Sequence, residues 1–303
     1  MLSIPTDKNM DVNWYQKFIE ENFLIKNKEG KVVPFILNNV QDTYMIDLVT
    51  TYGKDMVGVR DIVLKARKEG MSSLILAIFS TDFILVRDPI ASVCISDTKD
   101  ETRKLFNRAK FFIESYCVKK GYNLDHLCDT SNSNELRNRI NGAVFWIGTA
   151  GSKVSLRTES VQNIHFSEGA HFPDTDIITA RETYEGSMQM VDQGIGKIFD
   201  ESTARGYGNH YQIRWEQAIN GTSEFRGVFF PASALYSPEW LAKKRTQFTT
   251  NEMFLQEYPN TPEESFMSSG SKFFDTSAIN WLRNEVIRKP LIMGSLTERG
   301  EIL

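Results

Sequence analysis

The amino-acid sequence predicts an α/β fold built on a doubly wound, mainly parallel sheet. Between its predicted strands lie segments with apolar residues at helical spacing, such as the buried helix predicted at Leu74–Leu85. Because a strand–helix–strand order joins parallel strands through helical crossovers, it indicates a doubly wound sheet. The predicted strands are Asp61–Ala66, Val93–Ile95, Ala143–Ile147, Ile164–Phe166, Lys197–Phe199 and Gly227–Phe230.

The chain of 303 residues is 41% hydrophobic, which is enough for one substantial core with an appended subdomain. A formal net charge of -4 argues against a uniformly basic DNA-coating protein, although a local basic path could still bind DNA. The three cysteines form no CxxC pair, which argues against a zinc site or disulfide framework. No signal peptide or membrane-spanning run is evident, so we expect a cytoplasmic protein.

Beyond Pro231 the pattern changes to short helices joined by polar turns. The predicted helices are Glu239–Phe248, Glu252–Glu257 and Thr276–Ile287. We predict a core over 1–230, a helical lid over 231–287 and a linker over 288–303.

Earlier in the chain, basic residues lie on the long helix predicted around Leu105–Tyr116, and we interpret their charges as a solvated helix surface. These residues are Arg103, Lys104, Arg108 and Lys110.

A phosphate-binding loop is predicted where the first central strand meets its helix, at KARKEGMSS (Lys65–Ser73). The usual pattern is GxxxxGK[ST], but Lys65 stands at the first glycine and Met71 at the lysine. Gly70 still frees the turn, and the helix N-terminus adds its positive dipole end. The missing charge could come from Arg67 or Lys68. An ordinary basic turn on the surface is the alternative.

The partner of this loop is the strand Ile164-His-Phe-Ser-Glu168. A phosphate-loop enzyme needs a carboxylate at a neighbouring strand end to orient water, and Glu168 fits that role. Ser167 replaces the usual metal-side aspartate and could bind Mg²⁺ only weakly or through water, whereas Ser72 of the loop could bind it by its hydroxyl. We interpret His165 as a packed strand residue and leave His171 open. An exposed acid at a strand end is the alternative.

Together, KARKEGMSS and HFSEGAHFP resemble the large terminases of tailed bacteriophages. Those proteins often carry K-x-R-x-x-G-x-[ST] and an acidic strand that ends in Ser-Glu before Ala-Phe-Phe-Pro or similar. The resemblance implies a P-loop NTPase of the ASCE type with a small C-terminal helical lid, which binds ATP and Mg²⁺. It implies cofactor contacts from Lys65, Arg67, Lys68, Gly70, Met71, Ser72 and Ser73.

Three further segments are similar to this family. PFILNNVQ resembles its adenine-side segment, with Gln41 reading the base and Asn38 bracing the turn. ESTARGYGN resembles its coupling motif S-T-A-N-G, with Arg205 in place of the asparagine. EYPNTPEESF resembles the close of its ATPase region. Arg157 takes the position of an arginine finger that acts on a neighbouring subunit. The implied coupling residues are Ser202, Thr203, Ala204 and Gly206.

The resemblance implies the ATPase motor of a DNA-packaging terminase, with Glu168, Arg157 and Arg67 as catalytic residues. Expected partners are double-stranded DNA, a portal protein, a small terminase subunit and further copies of the chain in a ring on the capsid. The expected location is the cytoplasm of an infected bacterium. We expect no nuclease activity, because no acidic cluster follows Asp275. The alternatives are a helicase-like translocase and a non-catalytic assembly module.

Overall fold

The computed structural model describes residues 13–86, 90–151, 161–175, 178–191, 194–266 and 285–286. The elements named below all belong to one compact unit, Met1–Ser268. The helix predicted at Thr276–Ile287 lies outside the described residues except for two positions, and the predicted linker lies outside them entirely. The predicted domain boundaries therefore stay predictions.

Within the described ranges, ten strands form a small hairpin and one large sheet. The strands are β1 Leu24–Lys26, β2 Val32–Pro34, β3 Arg60–Lys65, β4 Ala91–Ser96, β5 Cys128–Ser131, β6 Glu135–Asn138, β7 Val144–Thr149, β8 Asn163–Ser167, β9 Lys197–Ser202 and β10 Arg226–Phe230. β1 pairs with β2, and the large sheet has the order β10-β3-β9-β8-β4-β7-β6-β5. Pairing is parallel from β10 to β7 and antiparallel at the β7-β6-β5 edge.

The helices lie on both faces of this sheet. They are α1 Trp14–Asn22, α2 Asn39–Tyr52, α3 Met71–Leu85, α4 Lys99–Lys119, α5 Leu124–Leu127, α6 Ala180–Met188, α7 His210–Ile219, α8 Pro238–Arg245, α9 Asn251–Glu257 and α10 Pro262–Ser265. Alternate residues of β3 belong to different apolar clusters. Val63 packs with α1 to α4, whereas Ile62 and Leu64 pack with α6 and α7. The predicted doubly wound architecture is thus confirmed.

Helix α3 is the central helix of the first face and confirms the prediction of a buried helix. It is apolar all round, and thirteen of its residues are buried. A helix without a polar face is stable only when neighbours cover it on every side. Here α1, α4 and the strands β8 and β9 provide that cover. The N-terminus of α3, directly after Gly70, is therefore held in a fixed position above the sheet.

The candidate site lies at the carboxyl ends of three neighbouring strands, β3, β9 and β8. β9 lies between β3 and β8, and its residue Glu201 pairs in register with Val63 on one side and Ser167 on the other. An additional strand between the loop strand and the acidic strand is the ASCE arrangement predicted above. Because all three strands are parallel, their last residues meet at one edge of the sheet.

Candidate active site

A cleft of about 930 Å³ opens at this edge, between the β1–β2 hairpin and the loop that follows β3. It gathers most of the residues that the sequence predicted to bind nucleotide or act on it. Those that line the cleft are Asn38, Gln41, Lys65, Arg67, Lys68, Gly70, Met71, Ser72, Ser73, Glu168 and Thr203. A phosphate chain placed here would face the N-terminus of α3, where backbone N–H groups and the helix dipole favour anions.

The loop is held in shape by the start of α2. Gly70 has a φ of 88°, and a Cβ there would come within 2.7 Å of Gln41 Nε2, so only glycine fits this turn. Gln41 Nε2 donates to the Gly70 carbonyl at 2.7 Å, and Asn38 Nδ2 donates to the Glu69 carbonyl at 3.0 Å. Asn38 and Gln41 also form a capping box on α2. The structure therefore makes both side chains part of the loop's scaffold.

Gln41 was predicted to read adenine, and its amide is already engaged at both ends. Its Oε1 accepts from the Asn38 backbone N–H at 3.1 Å, while its Nε2 bonds Gly70, and the side chain is buried. Asn38 bonds the loop through the Glu69 carbonyl, and its predicted bracing of the adenine-side turn stays a prediction. Contact between Gln41 and adenine stays a prediction, although the residue lines the cleft at the expected place.

Lys65, at the end of β3, is the cation that lies inside the site. Its Nζ is 3.0 Å from Glu168 Oε1 and 3.1 Å from Glu201 Oε2, and its side chain is buried. Burial alone would lower the pKa of Lys65, but the two carboxylates hold that pKa above its ordinary value. Lys65 therefore stays charged at every physiological pH.

The other basic residues of the loop, Arg67 and Lys68, also line the cleft but are exposed. Arg67 pairs with Glu257 of α9 at 2.9 Å, and more than half of its side chain is exposed. That hydrogen bond with Glu257 raises the pKa of Arg67. Lys68 is exposed and adopts a positive φ of 62°. Met71, at the position of the usual lysine, is fully buried in the core beneath the loop. Of the basic residues in this loop, Lys65 is thus the buried one, whereas Arg67 and Lys68 are exposed.

Glu201 is the centre of the site, and the sequence analysis did not single it out. Its Oε1 accepts from Ser72 Oγ at 2.7 Å and from Ser167 Oγ at 2.8 Å, and it lies 3.2 Å from His165 Nε2. Burial opposes ionisation, but Lys65 and the His165 hydrogen bond lower the pKa of Glu201 below its ordinary value. The sequence does contain a signal for the position of Glu201. Because side chains alternate along a strand, Glu201 lies on the same face of β9 as Phe199, toward α3.

His165 confirms its interpretation as a packed strand residue. It is fully buried, with its Nδ1 3.5 Å from Cys94 Sγ and its Nε2 toward Glu201. His171, which the sequence left open, lines the cleft with its Nε2 3.3 Å from Thr203 Oγ1.

Glu168 sits in a left-handed backbone conformation with a φ of 56°, which is unusual for a residue other than glycine. Such strain is characteristic of functional sites, where the surrounding structure must impose it. Here the Glu168 N–H bonds the Glu201 carbonyl at 2.7 Å. The side chain remains about one third exposed. This turn directs its carboxylate back over the sheet edge, toward Lys65 and into the cleft.

The predicted coupling segment follows β9 and contacts Glu168 directly. The Thr203 N–H donates to Glu168 Oε2 at 3.1 Å, and the hydroxyls of Ser202 and Thr203 lie 3.4 Å from the same oxygen. The buried Ala204 accepts a hydrogen bond from Gln256 of α9 at 2.9 Å through its carbonyl. Gly206 has a φ of 66° in the turn before α7. The segment thus connects the acid of the site to α9.

Arg108 of α4 is a second residue that the sequence analysis placed differently. The interpretation as a solvated helix surface holds for Arg103, which is exposed, but Arg108 is partly buried and lines the cleft. Its Nη1 donates to Ser73 Oγ at 3.1 Å, and burial lowers its pKa. Helical spacing alone could not show this, because the β1–β2 hairpin that forms the opposite wall comes from distant sequence.

Ser167 and Arg157 are the remaining predicted site residues. Ser167 is buried and donates its hydroxyl to Glu201. Arg157 lies outside the residues that the structure describes, so its predicted role stays a prediction. No cluster of three or more His, Cys, Asp or Glu suited to a metal occurs in the described part of the chain. Mg²⁺, however, commonly binds one or two carboxylates and takes its other ligands from phosphates and water.

The residues present fit such an ion. Ser72 offers a hydroxyl at the start of α3, and Glu201 offers a buried carboxylate in contact with it. Glu201 Oε2 forms an ion pair with Lys65, and no other hydrogen-bond donor reaches it among the described residues. The site therefore combines a helix N-terminus, a cation, a metal-compatible carboxylate and a partly exposed acid, the set that phosphoryl transfer to water requires.

The fold defines the class: an α/β protein whose central sheet has the strand arrangement of the ASCE-type P-loop architecture. No protein-family model and no curated protein matches the sequence. Solved structures do share the fold. The crystal structure of the HK97 bacteriophage large terminase aligns with a TM-score of 0.62 at 14% identity, over 83% of this chain and 55% of that one.

A second large terminase, from a thermophilic bacteriophage, aligns with a TM-score of 0.55 at 8% identity. That alignment covers 77% of this chain and 56% of the thermophilic protein. The chain thus matches a little over half the length of each terminase. The fold implied by the sequence motifs is confirmed, since this chain shares the fold of both solved terminases. No helix among the described residues is long and apolar enough to cross a membrane.

Proposed function

We propose that this chain binds and hydrolyses ATP and that it is the motor part of a terminase, which moves double-stranded DNA into a viral capsid. The observation that carries the proposal is the position of Lys65 between Glu168 and Glu201, beside the N-terminus of α3. A buried cation and a partly exposed acid at a helix N-terminus have a direct use in nucleotide hydrolysis. The shared fold with two large terminases supports the same interpretation.

Nucleotide binding would rest on the loop and on Lys65. The backbone N–H groups around Gly70 and Met71 face the cleft at the start of α3 and would bind phosphate oxygens. Lys65 would move from its carboxylates to the phosphate chain and supply the charge that Met71 cannot. Its side chain starts at the end of β3, directly below the loop, so this change needs only a rotamer change.

Hydrolysis would use Glu168 to orient the attacking water and accept its proton. Its Oε2 is already held by the Thr203 N–H, which leaves the carboxylate fixed at the mouth of the cleft. Ser72 would hold Mg²⁺ by its hydroxyl. Mg²⁺, when bound, neutralises the charge that develops on the phosphate oxygens during transfer.

Movement would start where the coupling segment contacts Glu168. A change in the charge or position of that carboxylate acts on Ser202 and Thr203, which touch it. Ala204 passes the change to Gln256 of α9. The same helix contacts the phosphate loop through Arg67 and Glu257. Two independent links therefore join the site to α9, as a motor that converts hydrolysis into movement requires.

The partners follow from this role. Several copies would form a ring on the capsid, docked on a portal protein and supplied with DNA by a small terminase subunit. Arg157 of one copy would complete the site of its neighbour, because a guanidinium stabilises the charge of a transferring phosphoryl group. Contacts with DNA would be made mainly to phosphates and would tolerate any sequence.

The experiment that tests the proposal is calorimetric titration of the chain with Mg²⁺ and a slowly hydrolysed ATP analogue, followed by ATPase assays with DNA. We expect saturable binding and hydrolysis stimulated by double-stranded DNA without strand separation. Greater stimulation by single strands, together with unwinding, would instead indicate a helicase-like translocase. Absence of nucleotide binding would contradict the proposal.

A further inference from the structure

We infer that Glu201, rather than Ser167, supplies the carboxylate on the Mg²⁺ side of the site. The inference rests on the proposed ATPase function and goes beyond it, because it assigns the metal-side acid to a different strand. In phosphate-loop enzymes that acid is an aspartate at the end of the strand that precedes the water-orienting glutamate. Here that position is Ser167, a neutral hydroxyl.

The geometry places a carboxylate where the missing aspartate would act. Ser167 and Glu201 are paired in register on β8 and β9, and Ser167 Oγ donates to Glu201 Oε1 at 2.8 Å. Relative to the usual phosphate-loop site, the carboxylate therefore lies on the neighbouring strand β9, and a serine stands at its usual position on β8. The same Oε1 accepts from Ser72 Oγ at 2.7 Å, so the acid touches the hydroxyl that is the predicted metal ligand of the loop.

Glu201 also has the free capacity and the charge that a hard cation needs. Among the described residues, no hydrogen-bond donor other than Lys65 Nζ, 3.1 Å away, reaches its Oε2. When Lys65 turns to the phosphate chain, Oε2 becomes available to Mg²⁺ or to one of its waters. Magnesium prefers such oxygen ligands and usually retains several waters.

A purely structural role for Glu201 predicts different behaviour. A buried acid that served only to neutralise Lys65 would affect folding stability, and its loss would weaken nucleotide binding equally with and without metal. A metal-side acid instead controls how much Mg²⁺ strengthens nucleotide binding. The useful quantity is therefore the ratio of the dissociation constants for an ATP analogue measured with EDTA and with Mg²⁺.

The test compares this ratio in the wild type, Glu201→Gln, Glu168→Gln and the double variant Ser167→Asp/Glu201→Gln. Removing an outer-shell partner of a metal site typically reduces metal affinity by about 10- to 100-fold, and we take this as the minimum for Glu201. We expect the Mg²⁺ enhancement to fall by at least that factor in Glu201→Gln and to persist in Glu168→Gln. The double variant returns a carboxylate to β8 and should recover much of the enhancement.

Direct binding of Mn²⁺ to the nucleotide-loaded protein, followed by electron paramagnetic resonance, gives a second readout without turnover. Thermal unfolding of each variant shows whether it is folded, and Glu201→Met, which also lacks the carboxylate, replaces Glu201→Gln if the latter unfolds at the assay temperature. An unchanged Mg²⁺ enhancement in a folded Glu201 variant would overturn the inference and leave the proposed function intact. A wild type that binds no nucleotide under either condition would overturn both.

Discussion

Lys65 Nζ lies 3.0 Å from Glu168 Oε1 and thereby joins the end of β3 to the end of β8 across the intervening strand β9. In the standard phosphate loop the lysine follows the second glycine, whereas here it precedes the loop. The positive charge therefore stands at a different position in the sequence from that of the standard lysine, but the fold places it at the same edge of the sheet. This relationship underlies the predictions that follow.

Replacing Lys65 by methionine should both weaken nucleotide binding and destabilise the fold. Its loss leaves Glu201 buried without its cation, and breaking a buried ion pair in this way typically costs about 3–5 kcal/mol. The free energy of unfolding from urea titration measures the cost. The double variant Lys65→Met/Glu201→Gln removes the unpaired charge and should recover a large part of the stability. Equal stability of Lys65→Met and wild type would contradict the described ion pair.

Replacing Arg108 by alanine should weaken the binding of ATP and of ADP. Arg108 bonds Ser73 beside the start of α3 and faces the cleft, so its guanidinium is placed to contact the phosphate chain. We expect a loss of about 10-fold or more, in line with a charge-assisted hydrogen bond of roughly 1.5–3 kcal/mol. Arg103→Ala is the matched control, since that arginine is exposed on the same helix. Indistinguishable affinities for the two variants would show that Arg108 does not contact nucleotide.

Glu69 should make the free energy of unfolding depend on pH. Its carboxyl group is fully buried beneath the loop, and burial raises its pKa to about 8. The folded state therefore keeps a proton that the unfolded chain releases above its ordinary pKa. With the folded pKa above the unfolded one, this group's contribution to stability falls as pH rises from about 4.5 to about 8.

The variant Glu69→Gln removes that titration while keeping the shape of the side chain. Relative to wild type, it should gain at least about 1.4 kcal/mol between pH 5 and pH 8, the equivalent of one pK unit. Urea unfolding of both proteins at the two pH values measures the difference. A parallel pH dependence of the two proteins would show that Glu69 is ionised in the folded state at pH 8.

The proposed trans role of Arg157 predicts that two inactive variants complement each other. Arg157→Ala retains Glu168 but cannot assist a neighbour, whereas Glu168→Gln can lend its arginine but cannot hydrolyse ATP. A mixture should recover activity that neither variant shows alone, and wild-type specific activity should rise with protein concentration. A mixture as inactive as its components, with a flat concentration dependence of the wild type, would count against a shared site.

The sequence predicted well in which order the central strands and helices follow one another along the chain, because the buried strands and α3 carry clear apolar runs. It also located the loop and Glu168, since Gly70 and the Ser-Glu strand end are local signals. Helix α2 was missed, although the spacing Asn38 to Gln41 is a capping box and Val40, Tyr44 and Leu48 mark its buried face. The antiparallel edge strands were missed because they are short and partly polar.

The roles of individual charges could not be read from the sequence, because side-chain direction depends on residues that are distant along the chain. Arg67 was expected to reach into the site, yet Glu257, 190 residues away, holds it at the edge. Lys65 is directed inward by two acids on other strands. Glu201 is adjacent in sequence to the predicted coupling residues Ser202 and Thr203, but its carboxylate contacts Ser72 of the predicted phosphate-binding loop. Such relationships arise only when the sheet brings strand ends together.

The central claim is that Lys65 and Glu168 form a working ATPase site, and Mg²⁺-dependent ATP hydrolysis at high protein concentration tests it most directly. We predict that the wild type turns over ATP and that Glu168→Gln retains nucleotide binding. Hydrolysis by this variant should fall by about 100- to 10,000-fold, the usual contribution of a positioned general base. A wild type that binds nucleotide but hydrolyses it no faster than Glu168→Gln would contradict this account.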